Sequence, residues 1–336
     1  MHTHVSVMLA LATITLASSG DRDVTYQRCV SICESHTCGD SSSPLPLALR
    51  LTRWTCTDDC KYGCMHQITD NAVENGNPVQ QYHGKWPFWR FAGMQEPASV
   101  AFSVLNLLAH ARGARHVQES IHDGHPMKQY YLWGAFINMN AWFWSSVFHT
   151  RDLPLTEKLD YFSAALAIMI ALYYTVIRLF HLYPPERNGP PSTFLSPRTF
   201  ASNAWTCICI VAYLAHVSYL ALLPRFDYAY NIAFNLAIGM LHNLLWVFYS
   251  LPSSISFIRR FPFGPESYRP KYASKAAIFV ACTMLATALE VFDFPPWERI
   301  IDAHSLWHLS TVPITVFWYE FLVQDAQDDG WRVQKF

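Results

Sequence analysis

The stretch "IIDAHSLWHLSTVPITVFWYEFLV" (Ile300–Val323) is long and apolar enough to read as a membrane-spanning helix, yet it opens on Asp302, His304 and His308. Polar side chains at that depth are costly unless partners inside a bundle satisfy them. Residues i and i+4 share one helical face, about 6 Å apart along the axis, so His304 and His308 can grip one ion together. The segment thus predicts a membrane bundle with a polar site in it. The rest of the chain has to supply the other half of that site.

The surrounding composition agrees with a membrane bundle. Of 336 residues, 51% are hydrophobic and only 15% charged, where a soluble domain carries about 25% charge. A net charge of −1 gives no reason to expect nucleic acid. Six further apolar segments precede the quoted one, so the expected spans are 96–112, 129–150, 157–180, 200–223, 228–250, 273–293 and 301–323. The breakers fall between them, in "YPPERNGPPSTFLSP", "LPSSISFIRRFPFGPESYRP" and "FDFPPWER".

Ahead of the spans, "MHTHVSVMLALATITLASSG" has the apolar core and small-residue end of a secretory signal, expected to cover residues 1–19. Six cysteines follow: Cys29, Cys33, Cys38, Cys56, Cys60 and Cys64. Behind a signal peptide they read as three disulfides, with about 15 connectivities open. A zinc module is the alternative, since "CTDDCKYGC" is dense enough to chelate. Cys207, Cys209 and Cys282 lie in apolar segments and read as packing thiols.

Basic residues set the orientation. Connectors on the side away from the cysteines hold thirteen: Arg112, Arg115, Lys128, Arg178, Arg187, Arg198, Arg259, Arg260, Arg269, Lys271, Lys275, Arg332 and Lys335. The cysteine side holds four, Arg151, Lys158, Arg225 and Arg299. The expected organisation is therefore a lumenal cysteine-rich domain (20–95), a seven-transmembrane helix bundle (96–323) and a cytosolic tail (324–336), all-α throughout. Histidines 110, 116, 122 and 125 cluster near a cytosolic connector and read as solvated.

This topology brings several polar residues to one depth. Span two ends in "WFWSSVFHTRD", placing Ser145 and His149 at its lumenal end, and Asp160 lies a turn inside the lumenal end of span three. His149 would complete a three-imidazole zinc site with His304 and His308, leaving a position for water. Zinc brings the pKa of such water to about 7, and Asp160 is suited to accept its proton. Ser145, one turn before His149, can bond the water or a developing oxyanion. Glu96, Ser99, Ser103 and Asn106 form one polar face of span one. They read as interhelical hydrogen-bonding groups, with Glu96 a supporting acceptor behind the site.

The runs "SSVFHTRDLPLTEKLDYFS" and "DAHSLWHLS" resemble the CREST superfamily of seven-span hydrolases, which includes alkaline ceramidases and adiponectin/progestin-type receptors. Its pattern of Ser-x3-His, Asp and His-x3-His falls on Ser145, His149, Asp160, His304 and His308. Within that group, "QYHGKWPFWRFAGMQEPASVAFSVLN" (Gln81–Asn106) and the lumenal cysteines resemble the post-GPI-attachment-to-proteins factor 3 family. The resemblance implies zinc-dependent removal of the sn-2 acyl chain from the lipid of GPI-anchored proteins, in the endoplasmic reticulum or Golgi membrane, with membrane lipids as surroundings. A lumenal ceramidase-like amidase and a non-catalytic, zinc-containing receptor or chaperone for GPI-linked cargo are the competing readings. No Asn-x-Ser/Thr sequon is present.

Overall fold

The seven apolar segments expected to span fold as helix. A computed structural model describes residues 18–39, 44–183 and 197–332; almost all of the expected signal peptide, Arg187 and Lys335 lie outside the described residues. Ten α-helices run through these: α1 (Val24–Thr37), α2 (Leu47–Leu51), α3 (Cys56–Glu74), α4 (Pro97–Ser120), α5 (Lys128–Thr150), α6 (Pro154–Leu179), α7 (Pro197–Leu222), α8 (Tyr228–Ser250), α9 (Ser274–Val291) and α10 (Ala303–Ala326). The chain is an all-α membrane protein.

Helices α4 to α10 occupy the seven segments expected to span. Four stretches are long and apolar enough to cross a membrane: α6, α7, α8 and Lys271–Val291, which contains α9. The other three are the helices that carry Ser99, Ser103, Asn106, Ser145, His149, His304 and His308. Their polar side chains are what lower their apolar content. The largest departure from the expected limits is at α4, which does not stop at Arg112 but runs on to Ser120, because nothing in "RGARHVQES" forbids a helix and no proline ends it.

By compactness the chain divides into two units. The first comprises Met1–Val100, His149–Asp152 and Phe292–Ser305. In it α1 and α3 are joined by Cys29–Cys64, Cys33–Cys60 and Cys38–Cys56, a nested order that runs the two helices antiparallel. The spacing explains the ladder: Cys56, Cys60 and Cys64 recur every four residues, on one face of α3. A capping box starts α3, with the Thr55 hydroxyl accepting from Asp58 N–H at 3.1 Å and the Asp58 carboxylate accepting from Thr55 N–H at 3.0 Å.

The second unit comprises Ala101–Phe148, Leu153–Val291 and Leu306–Phe336. Its apolar core includes Val117, Leu172, Trp246, Trp318 and Phe321. Helices α4 and α10 approach closely at Gly113: a Cβ there would lie 2.1 Å from the Tyr319 ring. Two of the histidines read as solvated are in fact buried. His110 bonds the Tyr319 hydroxyl at 2.9 Å, and His125 accepts from Met127 N–H at 3.1 Å. Conversely Cys207, read as a packing thiol, is exposed on the surface of the unit.

At the end of α10, a fully buried ion pair ties three helices. Arg178 of α6 donates to both Asp325 oxygens, at 2.8 and 2.9 Å, and the Tyr249 hydroxyl of α8 donates to the same carboxylate at 2.6 Å. Removing one member of such a pair leaves a buried charge alone, which costs about 3–5 kcal/mol. Asp325→Ala is expected to destabilise the second unit by that amount, with Asp325→Asn milder, as read by thermal unfolding in detergent.

Candidate metal centre

His149 closes the last turn of α5, and its position is fixed first by backbone. Glu96 N–H donates to the His149 carbonyl at 3.0 Å, and Gln95 N–H to that of Thr150 at 2.9 Å. The residues leading into α4 are thereby laid along the end of α5. This puts the Glu96 carboxylate beside the His149 ring, where Oε2 accepts from Nδ1–H at 2.8 Å. Both groups are buried. The bond selects the tautomer in which Nε2 carries a lone pair and acts as an acceptor.

Glu96 is itself paired. Its other oxygen meets the ammonium of Lys85, which also lies 3.3 Å from Asp152. Burial works against the Lys85 charge, but the two carboxylates outweigh it and hold its pKa above the ordinary lysine range. Sequence reasoning assigned no role to Lys85 or Asp152. Lys85 sits within the "GKWPF" run that carries the family resemblance, so a signal was present, although its partner was not deducible from spacing.

The start of α10 answers why an apolar helix opens with three polar residues. Asp302 is its N-cap: the carboxylate accepts from Ser305 N–H at 2.8 Å, and the Ser305 hydroxyl accepts from Asp302 N–H at 3.0 Å. That cap places His304 in the first turn, with its Nε2 only 3.3 Å from Nε2 of His149.

One turn further along the same helix, His308 is almost fully buried and held from two sides. Its Nδ1 lies 2.9 Å from the Ser103 hydroxyl, which is in turn 3.0 Å from the Ser145 hydroxyl. Asn106 donates to the His308 carbonyl at 2.7 Å. Two of the polar residues on α4 therefore brace α10, and Ser145 reaches His308 through Ser103. Ser99, one turn before Ser103, is buried. Asp160 stands half-buried in the second turn of α6.

His149 and His304 bring their Nε2 atoms together, and His308 follows His304 by one turn along α10. Zinc–nitrogen bonds of about 2.0–2.1 Å in tetrahedral geometry put ligand nitrogens about 3.3–3.4 Å apart, and the His149–His304 separation is 3.3 Å. Nδ1 of His149 is engaged by Glu96, and Nδ1 of His308 by Ser103, the kind of outer support that ligating imidazoles have. The donor set fits a borderline metal such as zinc. Cys38, Cys56 and Cys60 form another close group of sulfurs, but all three are in disulfides, which consumes the thiolates that the zinc-module alternative needs.

Comparison with known proteins agrees over nearly the whole chain. The model of the Per1-like family matches residues 46–326. The Protein PER1 homolog of Schizosaccharomyces pombe is 42% identical over 320 residues, 93% of this chain and 88% of that one. The GPI-specific phospholipase A2-like PGAP3 of Xenopus tropicalis is 38% identical over 326 residues, covering 95% and 94%. Post-GPI attachment to proteins factor 3 of Drosophila melanogaster is 35% identical over 326 residues, covering 94% and 91%. The chain belongs to the Per1-like family.

Proposed function

We propose that this protein is a zinc-dependent lipid hydrolase that removes the sn-2 acyl chain from the lipid of GPI-anchored proteins during fatty-acid remodelling. The observation that carries this reading is the 3.3 Å approach of the His149 and His304 Nε2 atoms with the far nitrogen of His149 taken by a buried carboxylate. His149, His304 and His308 would hold the ion. The names of the relatives, among them GPI-specific phospholipase A2-like proteins, supply the substrate class.

Zinc bound there supplies a Lewis acid and lowers the pKa of water to about 7. The chain's own residues do the rest. Glu96, its charge balanced by Lys85, keeps His149 in the ligating tautomer. Ser103 and Asn106 fix the ring and backbone of His308. Asp160 accepts a proton from the water that attacks the sn-2 carbonyl carbon and passes it to the departing glycerol oxygen, giving a free fatty acid and a lyso-lipid. Ser145 donates toward the oxyanion that develops on the carbonyl. Helices α4 to α10 cross the membrane seven times, with the N-terminus and the site lumenal and the C-terminus cytosolic. That orientation follows from the thirteen-to-four bias of basic residues and suits residence in the endoplasmic reticulum or Golgi.

One observation favours a plainer alternative: 3.3 Å is also a distance at which His304 Nε2–H can donate to His149 Nε2 with no ion present. Metal analysis separates the two. Purified protein is expected to carry one zinc per chain and to lose it in His304→Ala; a metal-free wild type would leave only the hydrogen bond. Glu96→Gln is expected to weaken zinc retention about 10–100-fold in chelator competition. Asp160→Asn should keep its zinc yet release fatty acid from GPI-anchored protein about 10²–10⁴-fold more slowly. Unchanged turnover in that variant removes Asp160 from the chemistry, and release of sphingoid base from ceramide in place of lyso-GPI would reassign the substrate.

A further inference from the structure

Helix α3 carries a second stripe that neither the disulfides nor the metal centre uses. Asp58, Tyr62, His66 and Asp70 recur every four residues, about 200° around the helix from Cys56, Cys60 and Cys64. Each end of this stripe grips an arginine. At one end Asp58 pairs with Arg151 at 2.8 Å, and the Arg151 guanidinium lies 4.5 Å from the centroid of the Trp54 ring. At the other, Arg299 donates to the Asp70 carboxylate at 2.6 Å and to Nδ1 of His66 at 3.1 Å, and lies 5.1 Å from the centroid of Trp89. Between them, Arg90 sits over both Tyr62 and Trp54, at 4.0 and 4.9 Å, and pairs with Asp59.

The two arginines are not arbitrary. Arg151 follows His149 by two residues, and Arg299 precedes His304 by five. We propose that α3 is a two-point clamp that sets the approach of His149 to His304, with Asp58, His66 and Asp70 as positioning residues acting through Arg151 and Arg299. The inference rests on the reading of those two histidines as metal ligands.

Three features make the clamp stiff. First, the grip points are twelve residues apart on one helix, a strut of about 18 Å, and the face opposite them is bonded to α1 by three disulfides. Second, the chain from Arg299 to His304 has no slack. Glu298 and Arg299 adopt φ of 51° and 56°, a region that residues with side chains occupy only when held there. Trp297 N–H then bonds the Ile301 carbonyl at 2.8 Å, and the Asp302 cap follows directly. Third, the aromatic partners lock one another. His66 stacks on Trp89 with ring centroids 4.0 Å apart and 8° between planes, and its Nε2–H donates to the Phe88 carbonyl at 3.1 Å. Burial, together with the neighbouring Arg299 guanidinium, pushes the His66 imidazole down to about 4, so at neutral pH its Nδ1 is an acceptor for Arg299.

The test uses the full-length protein in detergent, with two readouts: zinc affinity by chelator competition, and the visible spectrum of the cobalt-loaded protein, which reports ligand geometry. Arg151→Ala and Arg299→Ala are each expected to weaken zinc retention about 10–100-fold and to shift the cobalt bands. Asp70→Asn combined with Arg299→Ala should add little to Arg299→Ala alone, because both remove the same grip. Arg299→Lys keeps the charge but not the fork or the stacking, and should recover part of the loss. Should the alanine variants fail to fold, the lysine variants at both positions carry the same comparison. A wild type that binds no metal sinks the hydrolase reading itself. A wild type that binds zinc, with arginine variants matching its affinity and spectrum, overturns the clamp alone.

Discussion

A buried imidazole can serve a cation only if its far nitrogen is already committed, and that requirement spreads outward from His149. Its Nδ1–H needs an acceptor, supplied by Glu96. A buried carboxylate needs a counter-charge, supplied by Lys85, whose ammonium also lies beside Asp152. One constraint on one ring thus recruits a loop lysine, the residue before α4 and the residues just after α5. His308 meets the same demand with neutral groups, the Ser103 hydroxyl and, beyond it, Ser145. A charged neighbourhood and an uncharged one serve the two rings, and each is complete.

The same economy governs polar groups elsewhere. The buried guanidinium of Arg178 has both Asp325 oxygens and the Arg260 carbonyl, which it reaches at 2.6 Å. Arg260 in turn donates to the Tyr249 carbonyl at 2.8 Å. In an apolar bundle such groups survive only as members of closed networks. The networks therefore fix helix register more sharply than the aliphatic side chains around them, which can slide past one another at little cost.

Much of this was legible from the residues. The seven helical segments followed from apolar length, and the i, i+4 pair on α10 announced a shared face. Glu96, Ser99, Ser103 and Asn106 were visible as a polar stripe, because their spacing of three and four is a helical period. Their partners were not visible, since spacing within one helix says nothing about what stands opposite it. Lys85 and Asp152 come from segments without periodicity, so the quoted runs that contain them gave no clue to what they pair with. The disulfide pairing could not be chosen from six cysteines alone; it follows from the antiparallel course of α1 and α3. Asp302, noticed only as a polar residue at the start of an apolar segment, is a helix cap, a role that depends on which residue starts the helix. The burial of His110 depended on Tyr319, 209 positions away. The end of α4 lies beyond the expected span because apolar length marks a span, whereas the helix runs on through polar residues to Ser120.

Gly113 offers no chemistry of its own, yet it governs where chemistry on two helices can happen. Since a single methyl group there would collide with the Tyr319 ring, any side chain would act as a wedge driven between α4 and α10. The hydroxyl of Ser103 and the ring of His308 lie on those same two helices, about 15 Å back along α4 from the wedge. A lever of that length turns a small splay into a broken contact at the far end. A substitution can therefore disturb that contact from ten residues away, and would look from sequence like a harmless exchange of one small residue for another.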